Sequence, residues 1–265
     1  DMPDLAEYFY QYANEDLKRF LKCGDFVVEI GSNDGTMLEF FRGGYKILGV
    51  DPASNTVVRA LEREIPTLSD SFSLRIAKSI KREFGEAKLI YGNNCIAHID
   101  NLHGVIQGVK ELLSEDGVFV VECNYWGGMV KNKNYSLIYH DHFSYFSLKN
   151  WEDIAIMYGM KVFDAWVTPA QGGSLRVFLT NGEQTETARY KLLHEEEIEN
   201  NLNSYETCKQ YKDDVLAEAL KLGNLVRGLK DSGKTIAGYG AAAKGFSILK
   251  LAGIDERHID YFVDD

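Results

Sequence analysis

The sequence is short of the features that define several protein classes. Only 4 of its 265 residues are Pro and 45% are hydrophobic, which excludes disordered and low-complexity chains. Asp and Glu number 40 against 29 Lys and Arg, so the net charge of -11 argues against a nucleic-acid partner. The apolar runs, such as GVFVVE, are too short to cross a membrane.

Cysteine is equally sparse. The 4 cysteines lie far apart and form no CxxC pair, a spacing typical of reduced thiols rather than of a zinc site or a disulfide framework. The Asp1-Met2-Pro3 start has neither the basic nor the apolar region of a signal peptide. We therefore expect a cytoplasmic protein without a membrane partner, and the sequence makes no prediction of its oligomeric state.

Short apolar strands alternate with helical segments over the first two thirds of the chain. Several strand and helix repeats lie in sequence between a strand near 26–30 and one near 118–122. This pattern predicts an α/β fold with a mostly parallel sheet covered on both faces. The connection between the strands near 161–166 and 175–179 is too short for a crossover helix. The last strand is therefore predicted to be antiparallel.

The composition divides the chain into three segments. Residues 1–182 carry the strand and helix repeats of the main domain. Residues 183–232 are rich in Glu, Lys and Leu and contain no Pro, which predicts a helical connector. Residues 233–265 read strand, glycine turn, helix and strand, as in part of a Rossmann-like βαβ unit.

The first glycine-rich turn, in FVVEIGSNDG, follows a strand at the edge where open α/β sheets bind ligands. Asp51 ends the next strand and could accept hydrogen bonds from the two hydroxyls of a ribose. Asp34 inside the turn would repel a pyrophosphate, so a cationic nucleoside such as S-adenosylmethionine (SAM) fits better than a dinucleotide. The alternative is that Glu29, Asp34 and Asp51 only cap helices.

Other polar residues follow strands at the same edge. Asp70 and Ser71 come after the third strand, where they could reach an adenine, and Asn93 and Asn94 come after the fourth. Each is also explained singly as a loop cap or packing residue. The predicted SAM-binding set is Gly31, Ser32, Asp34, Gly35, Asp51, Asp70, Ser71 and Asn93.

The segment Tyr139-His140-Asp141-His142 gathers a phenol, two imidazoles and a carboxylate in one loop. Methylation at carbon requires removal of a proton next to a ketone and a donor for the enolate oxygen, and such side chains supply both. A neighbouring carboxylate can also fix the tautomer of a histidine base. The two alternatives are a metal-binding HxH pair, for which no third ligand is nearby, and purely structural histidines.

The second glycine-rich turn, in TIAGYGAAAKG, contains no acid and has Lys244 in the first helical turn. Backbone amides of Gly238, Tyr239 and Gly240, with Lys244 beside them, could bind a diphosphate. The alternative is close packing of a helix on a strand through small residues.

The order of EIGSNDG, GVDPA, GNNCIAHI, DGVFVVE, IYHDHFSYFSL, GGSLRVFL and GYGAAAKG resembles sugar C-methyltransferases that act on nucleotide-linked 3-keto deoxysugars. The resemblance covers nearly the whole chain. It implies a Rossmann-like class I methyltransferase fold with a seven-stranded sheet, and SAM as methyl donor with S-adenosyl-L-homocysteine (SAH) as product. The given sequence includes neither the family's cysteine-rich zinc domain nor the extension after VDD, so it is either a shorter relative or part of a longer gene product. Asp141 stands where the family commonly has Glu.

The resemblance also implies roles for the loop residues. It makes His142 the general base, with Asp141 supporting it and Tyr139 as base or enolate donor, and no metal is expected. The residues expected to bind the nucleotide-sugar substrate are Asn94, His98, His140, Gly238, Tyr239, Gly240 and Lys244. The alternatives are methylation of a hydroxyl or amine of another small molecule, and a non-catalytic nucleotide-binding relative.

Overall fold

The computed structural model describes residues 5–241 and 243–264. The Asp1-Met2-Pro3 start and Ala242 of the second glycine turn, both used in the sequence analysis, lie outside the described residues. No helix within the described ranges combines the length and the apolar character needed to cross a membrane.

Within the described residues, seven strands form the main sheet and two more form a small separate sheet. The strands are β1 (Phe26–Ile30), β2 (Lys46–Asp51), β3 (Thr67–Ser69), β4 (Ala87–Asn93), β5 (Leu113–Asn124), β6 (Lys161–Thr168), β7 (Ser174–Thr180), β8 (Ala237–Tyr239) and β9 (Tyr261–Val263). The α-helices are α1 (Leu5–Gln11), α2 (Ser54–Glu62), α3 (Leu74–Phe84), α4 (Leu102–Leu112), α5 (Trp126–Asn132), α6 (Leu148–Met157), α7 (Ala188–Glu199), α8 (Tyr205–Asp231) and α9 (Ala243–Leu251).

The order of strands in the main sheet is β3-β2-β1-β4-β5-β7-β6. Strands β1 to β5 are mutually parallel, and β7 runs antiparallel to both β5 and β6. This confirms the mostly parallel sheet with an antiparallel last strand. The carboxyl ends of β1, β2, β4 and β5 therefore meet at one edge of the sheet.

The core lies on both faces of the sheet, and the side chains of β1 alternate between the two layers. Val28 and Ile30 belong to the layer formed by α3 and α4. Val27 belongs to the other layer, with Tyr12 from the amino-terminal helical segment and Leu38. Burial on both faces explains why this strand is apolar almost throughout its length.

Two helical segments of the chain are not regular α-helices. The segment near 3–22 continues from α1 into a π-helical stretch, Tyr12–Leu17, and a 3-10 turn, Lys18–Phe20. The segment after the first glycine turn is a single 3-10 turn, Leu38–Phe41, because the chain between that turn and β2 has room for about one turn.

The second segment is helical as predicted, and the third forms the small sheet. α7 and α8 occupy the predicted connector, and β8 and β9 pair in parallel with Gly238 opposite Phe262. α9 packs on α8, where Ala219, Ala252 and Ile254 form an apolar cluster. A two-stranded sheet buries little surface, so this unit depends on α8. The division at residues 182 and 232 stays a prediction.

Candidate functional site

The first glycine turn requires glycine at both ends. Gly31 and Gly35 have φ values of +71° and +76°, in the left-handed region. A Cβ at Gly31 would lie 2.7 Å from Cβ of Cys95, and one at Gly35 would lie 2.8 Å from Ile65. The backbone of the turn is therefore held against the loop after β4 and the loop that leads into β3.

The carboxylates of the turn differ in environment. Glu29 is buried, and this burial raises its pKa well above the usual range, although the Tyr91 hydroxyl donates to it at 3.2 Å. Asp34 accepts from the Thr36 hydroxyl at 2.7 Å and pairs with Arg63 at 3.2 Å, and these contacts lower its pKa. Arg63 therefore opposes the charge of Asp34, a compensation that the sequence analysis missed.

Asp51 is buried at the end of β2 and joins two loops. One carboxylate oxygen accepts from the backbone N–H of Asn33 at 2.9 Å. The other accepts from the N–H of Ala53 at 2.9 Å and from the hydroxyl of Thr56 at 3.2 Å. These contacts hold the two loops together but do not cap α2, whose N-cap residue Ala53 has no side-chain cap hydrogen bond. Ribose binding by Asp51 stays a prediction.

Several buried polar atoms line this edge without a hydrogen-bond partner among the described residues. They are Oγ of Ser32, both amide atoms of Asn93 and Oδ1 of Asn94. Buried polar atoms are rarely left unpaired, because they have lost their water. A polar ligand at this edge would pair them, so these residues fit the predicted nucleoside.

Asp70 and Ser71 lie after β3, where Asp70 is half-buried and Ser71 is exposed. Asp70 forms an ion pair with Arg75 at 2.7 Å and accepts from the N–H of Ser71 at 2.8 Å. The side-chain hydrogen bond from Arg75 is the main cause that lowers the pKa of Asp70. Their contact with an adenine stays a prediction.

The segment Tyr139-His140-Asp141-His142, called the histidine loop below, holds His142 as a neutral imidazole that accepts a hydrogen bond. Its Nδ1 lies 2.8 Å from the carbonyl oxygen of Leu137, which only accepts, so Nδ1 carries the proton. Nε2 is then the basic nitrogen, and the Tyr139 hydroxyl donates to it at 3.0 Å. Burial is the main cause that lowers the pKa of His142, and His98 and Lys244 lower it further.

His98 connects the loop after β4 to the histidine loop. Its Nδ1 donates to the backbone carbonyl of Asp141 at 2.8 Å, and its ring centre lies 4.6 Å from that of His142. The N–H of Phe143 donates to the carbonyl of Ala97 at 2.8 Å. The predicted cofactor edge and the predicted base are therefore joined by direct hydrogen bonds.

The side chain of Asp141 contacts a different histidine from the one expected. Its carboxylate lies 3.2 Å from Nε2 of His140, and both side chains are largely exposed. The tautomer of His142 is fixed instead by the Leu137 carbonyl. Sequence reasoning had no signal for this contact, because any residue at 137 supplies the same carbonyl.

The second glycine turn is closely packed, but between two strands rather than between a helix and a strand. A Cβ at Gly238 would lie 2.4 Å from the ring of Phe262, its partner on β9. The N–H of Gly240 donates to the carbonyl of Val263 at 2.8 Å, so this amide already has a partner. Lys244 acts on the pKa of His142, which places the turn near the histidine loop.

Two further observations concern alternative sites. A cavity of about 870 Å³ lies beyond the carboxyl end of β5, and its lining includes Tyr125, Lys131 and Tyr211 but, over the described residues, none of the predicted site residues. Within the same part of the chain, no group of three or more His, Cys, Asp or Glu is arranged to hold a metal ion.

Comparison with known proteins gives matches over nearly the whole chain. Residues 5–164 match the family model of a methyltransferase domain, and residues 169–265 match that of a C-methyltransferase C-terminal domain. The chain is 36% identical over 248 residues to C-methyltransferase NovU of Streptomyces niveus. That match covers 92% of this chain and 59% of NovU, so the chain spans about three fifths of that relative.

Solved structures are similar at much lower identity. An S-adenosylmethionine-dependent methyltransferase from Clostridium acetobutylicum ATCC 824 matches with TM-score 0.52 and 10% identity, over 69% of this chain and 94% of the other. The plantazolicin methyltransferase BpumL, in complex with a pentazolic desmethylPZN analog and SAH, matches with TM-score 0.50 and 14% identity, over 67% of this chain and 83% of the other. These likenesses confirm the Rossmann-like methyltransferase fold.

Proposed function

Because the chain belongs to the methyltransferase family and continues into a C-methyltransferase C-terminal domain, we propose that it methylates a carbon of a nucleotide-linked keto-deoxysugar. The resemblance drawn from the motifs is confirmed at the level of the family. The substrate class, the site residues and the order of bond changes are our proposal.

The carboxyl edge of β1, β2 and β4 is the proposed site of SAM. Asp51 would hold the ribose, and Ser32 and Asn93 would gain hydrogen bonds for side-chain atoms that are buried without a partner. Bound there, SAM supplies an electrophilic methyl group on a sulfonium. BpumL, which shares the fold, is in complex with SAH, and this supports SAM as the methyl donor.

The observation that carries the proposal is the fixed tautomer of His142. Because Nδ1 donates to the Leu137 carbonyl, Nε2 has a free electron pair that can take a proton from the carbon next to a ketone. The lowered pKa keeps this imidazole neutral near pH 7. The pair of electrons from the C–H bond then forms the new C–C bond, while the sulfonium becomes a thioether.

Two groups near Nε2 support proton removal. The Tyr139 hydroxyl lies 3.0 Å from Nε2 and can donate to the enolate oxygen once substrate separates the two side chains. Lys244 lies near enough to influence the His142 pKa, which favours binding of the sugar diphosphate at the second glycine turn. The sugar would then lie between the base and the methyl donor.

Two assays test the proposal. The chain is incubated with a dTDP-linked 3-keto-deoxyhexose in D2O without SAM, and we expect deuterium at the carbon next to the ketone. With methyl-labelled SAM, we expect the label in a new C–C bond. A label on oxygen or nitrogen would favour the alternative methyltransferase, and SAM binding without turnover on any keto sugar would favour a non-catalytic relative.

A further inference from the structure

The carboxyl ends of β5 and β6 and the amino end of β7 carry two rows of polar residues on one face of the sheet, an inner row of Glu122 and Arg176 and an outer row of Asn124, Ser174 and Thr168. In register, Glu122 lies opposite Arg176, and Asn124 lies opposite Ser174, which itself lies opposite Thr168. Since side chains of a strand alternate between faces, Glu122 and Asn124 lie on the same face. These buried rows adjoin β4, whose last residue Asn93 is the register partner of Glu122.

The two side chains of the inner row are paired with each other and with residues of the amino-terminal helical segment. Arg176 donates to Glu122 at 2.5 Å and 2.8 Å, and the Tyr8 hydroxyl donates to the same carboxylate at 2.5 Å. Arg176 also forms an ion pair with Asp16 from the amino-terminal helical segment. This network anchors that segment to the sheet, and no side-chain atom of Glu122 or Arg176 is among the buried atoms that lack a partner in the described part of the chain.

The outer row contains one unsatisfied group. Ser174 donates its hydroxyl to the carbonyl of Ala170 at 3.1 Å, and Thr168 lies 3.5 Å from the Tyr8 hydroxyl. Asn124 is 7% exposed, yet its Oδ1 has no hydrogen-bond partner among the described residues. Asn93, at the neighbouring end of β4, has both amide atoms in the same condition.

We propose that Asn124 is a specificity-determining residue whose Oδ1 accepts a hydrogen bond from a hydroxyl group of the sugar substrate. The inference rests on the proposed function, because it names the contact that orients the sugar beside the SAM edge. Oδ1 is an acceptor only, so the group that satisfies it must be a donor, and a deoxysugar offers hydroxyls as donors. Buried and desolvated, Asn124 discriminates against a sugar that lacks this hydroxyl.

The test pairs a variant with substrate analogues. We compare wild type and Asn124→Ala on the keto sugar and on analogues in which one hydroxyl at a time is replaced by hydrogen. In wild type, one analogue should lose at least about 10-fold in kcat/KM. In Asn124→Ala, the parent sugar should show the same loss, mainly in KM, and that analogue should lose nothing further. The dissociation constant of SAM should not change.

A matched control is available at the opposite edge of the sheet. Oδ1 of Asn181 is also buried without a partner among the described residues, but Asn181 follows the end of β7 that aligns with Val118, at the start of the apolar part of β5. We expect Asn181→Ala to leave the KM of the sugar and the discrimination among analogues unchanged. Thermal unfolding of each variant identifies any loss of fold.

The outcomes separate this inference from the proposed function. If wild type methylates the sugar but tolerates every deoxy analogue equally, the assignment of Asn124 is overturned, and this result needs no variant. An Asn124→Ala enzyme with wild-type KM overturns it as well, while turnover by wild type still supports the proposed function. If folded wild type turns over no keto sugar, the proposed function fails and the assignment fails with it.

Discussion

The two glycine turns of this chain look alike in sequence and differ in their surroundings. The first follows β1, which is buried throughout, at the edge of a seven-stranded sheet. The second follows β8, a three-residue strand that is mostly exposed in a two-stranded sheet. A strand, glycine turn and helix therefore predict where a ligand can bind, whereas the surrounding sheet determines how much of the site is buried.

The largest expected effect is the loss of kcat on substitution of His142, which lies near both glycine turns. We expect His142→Ala to lower kcat by about 10²- to 10⁴-fold, because it removes the base, while the affinity for SAM is unchanged. Steady-state kinetics and calorimetry measure the two quantities. His194→Ala is the control, since His194 pairs with Glu152 far from the loop in sequence and should leave kcat unchanged. An His142→Ala enzyme within a few-fold of wild type would move the base elsewhere.

Substitution of Asp51 and of Lys244 tests which ligand binds at each glycine turn. We expect Asp51→Ala to weaken SAM binding by about 100-fold or more, because the carboxylate that would hold the ribose is lost. Lys244→Ala should leave SAM binding unchanged and raise the KM of the sugar. Calorimetry with SAM, carried out below the unfolding temperature of each variant, measures the affinity for SAM. Near-normal affinity in Asp51→Ala would contradict the assigned crevice.

Substitution of Gly35 and of Gly240 compares how much each glycine turn contributes to the free energy of unfolding. Both have positive φ, +76° and +86°, but a Cβ at Gly35 would lie 2.8 Å from Ile65, whereas nothing lies within 4 Å of one at Gly240. We expect Gly35→Ala to lower the free energy of unfolding by about 2–4 kcal/mol and Gly240→Ala by about 1 kcal/mol. Denaturant titration measures both, and equal losses would contradict the difference in packing.

The smallest expected effect concerns pH. The pKa of His142 is lowered, so activity should fall when the imidazole is protonated as the pH drops through that pKa. Lys244 contributes to the lowering, and Lys244→Ala should therefore raise the pKa and move the acidic limb of kcat/KM to higher pH. A pH profile checks this, with Lys250→Ala on the same helix as control. A shift to lower pH would contradict the proximity of Lys244 to the base.

Much of the fold could be predicted because the spacing of apolar residues indicates which side chains are buried. The apolar strands, the antiparallel β7 and the helical connector all follow from such patterns, and so does the clustering of Asp51, Asn93 and the first glycine turn at one edge. The form of the amino-terminal helical segment could not be predicted. Its π-helical stretch places Tyr12 and Leu17 in the core and Asp16 on Arg176, contacts that depend on a distant strand.

The site shows the same limit at the level of single contacts. Arg63 on Asp34 and the Leu137 carbonyl on His142 both decide charge or tautomer, yet neither belongs to a recognisable spacing. The pairing of Asp141 with His140 rather than His142 depends on the path of the loop. Such contacts are set by which way each side chain leaves the backbone, and residue order alone carries no record of that.

By itself, the sequence determined the α/β class, the acidic charge, the edge of the sheet where chemistry is expected and the family resemblance, because these depend on residue type and spacing along the chain. The tertiary structure alone decided which polar groups are paired and which are buried without a partner. Glu122 and Asn124 are two residues apart on one strand, and only the packing of α1 and β7 around them makes the first a closed ion pair and the second an open acceptor.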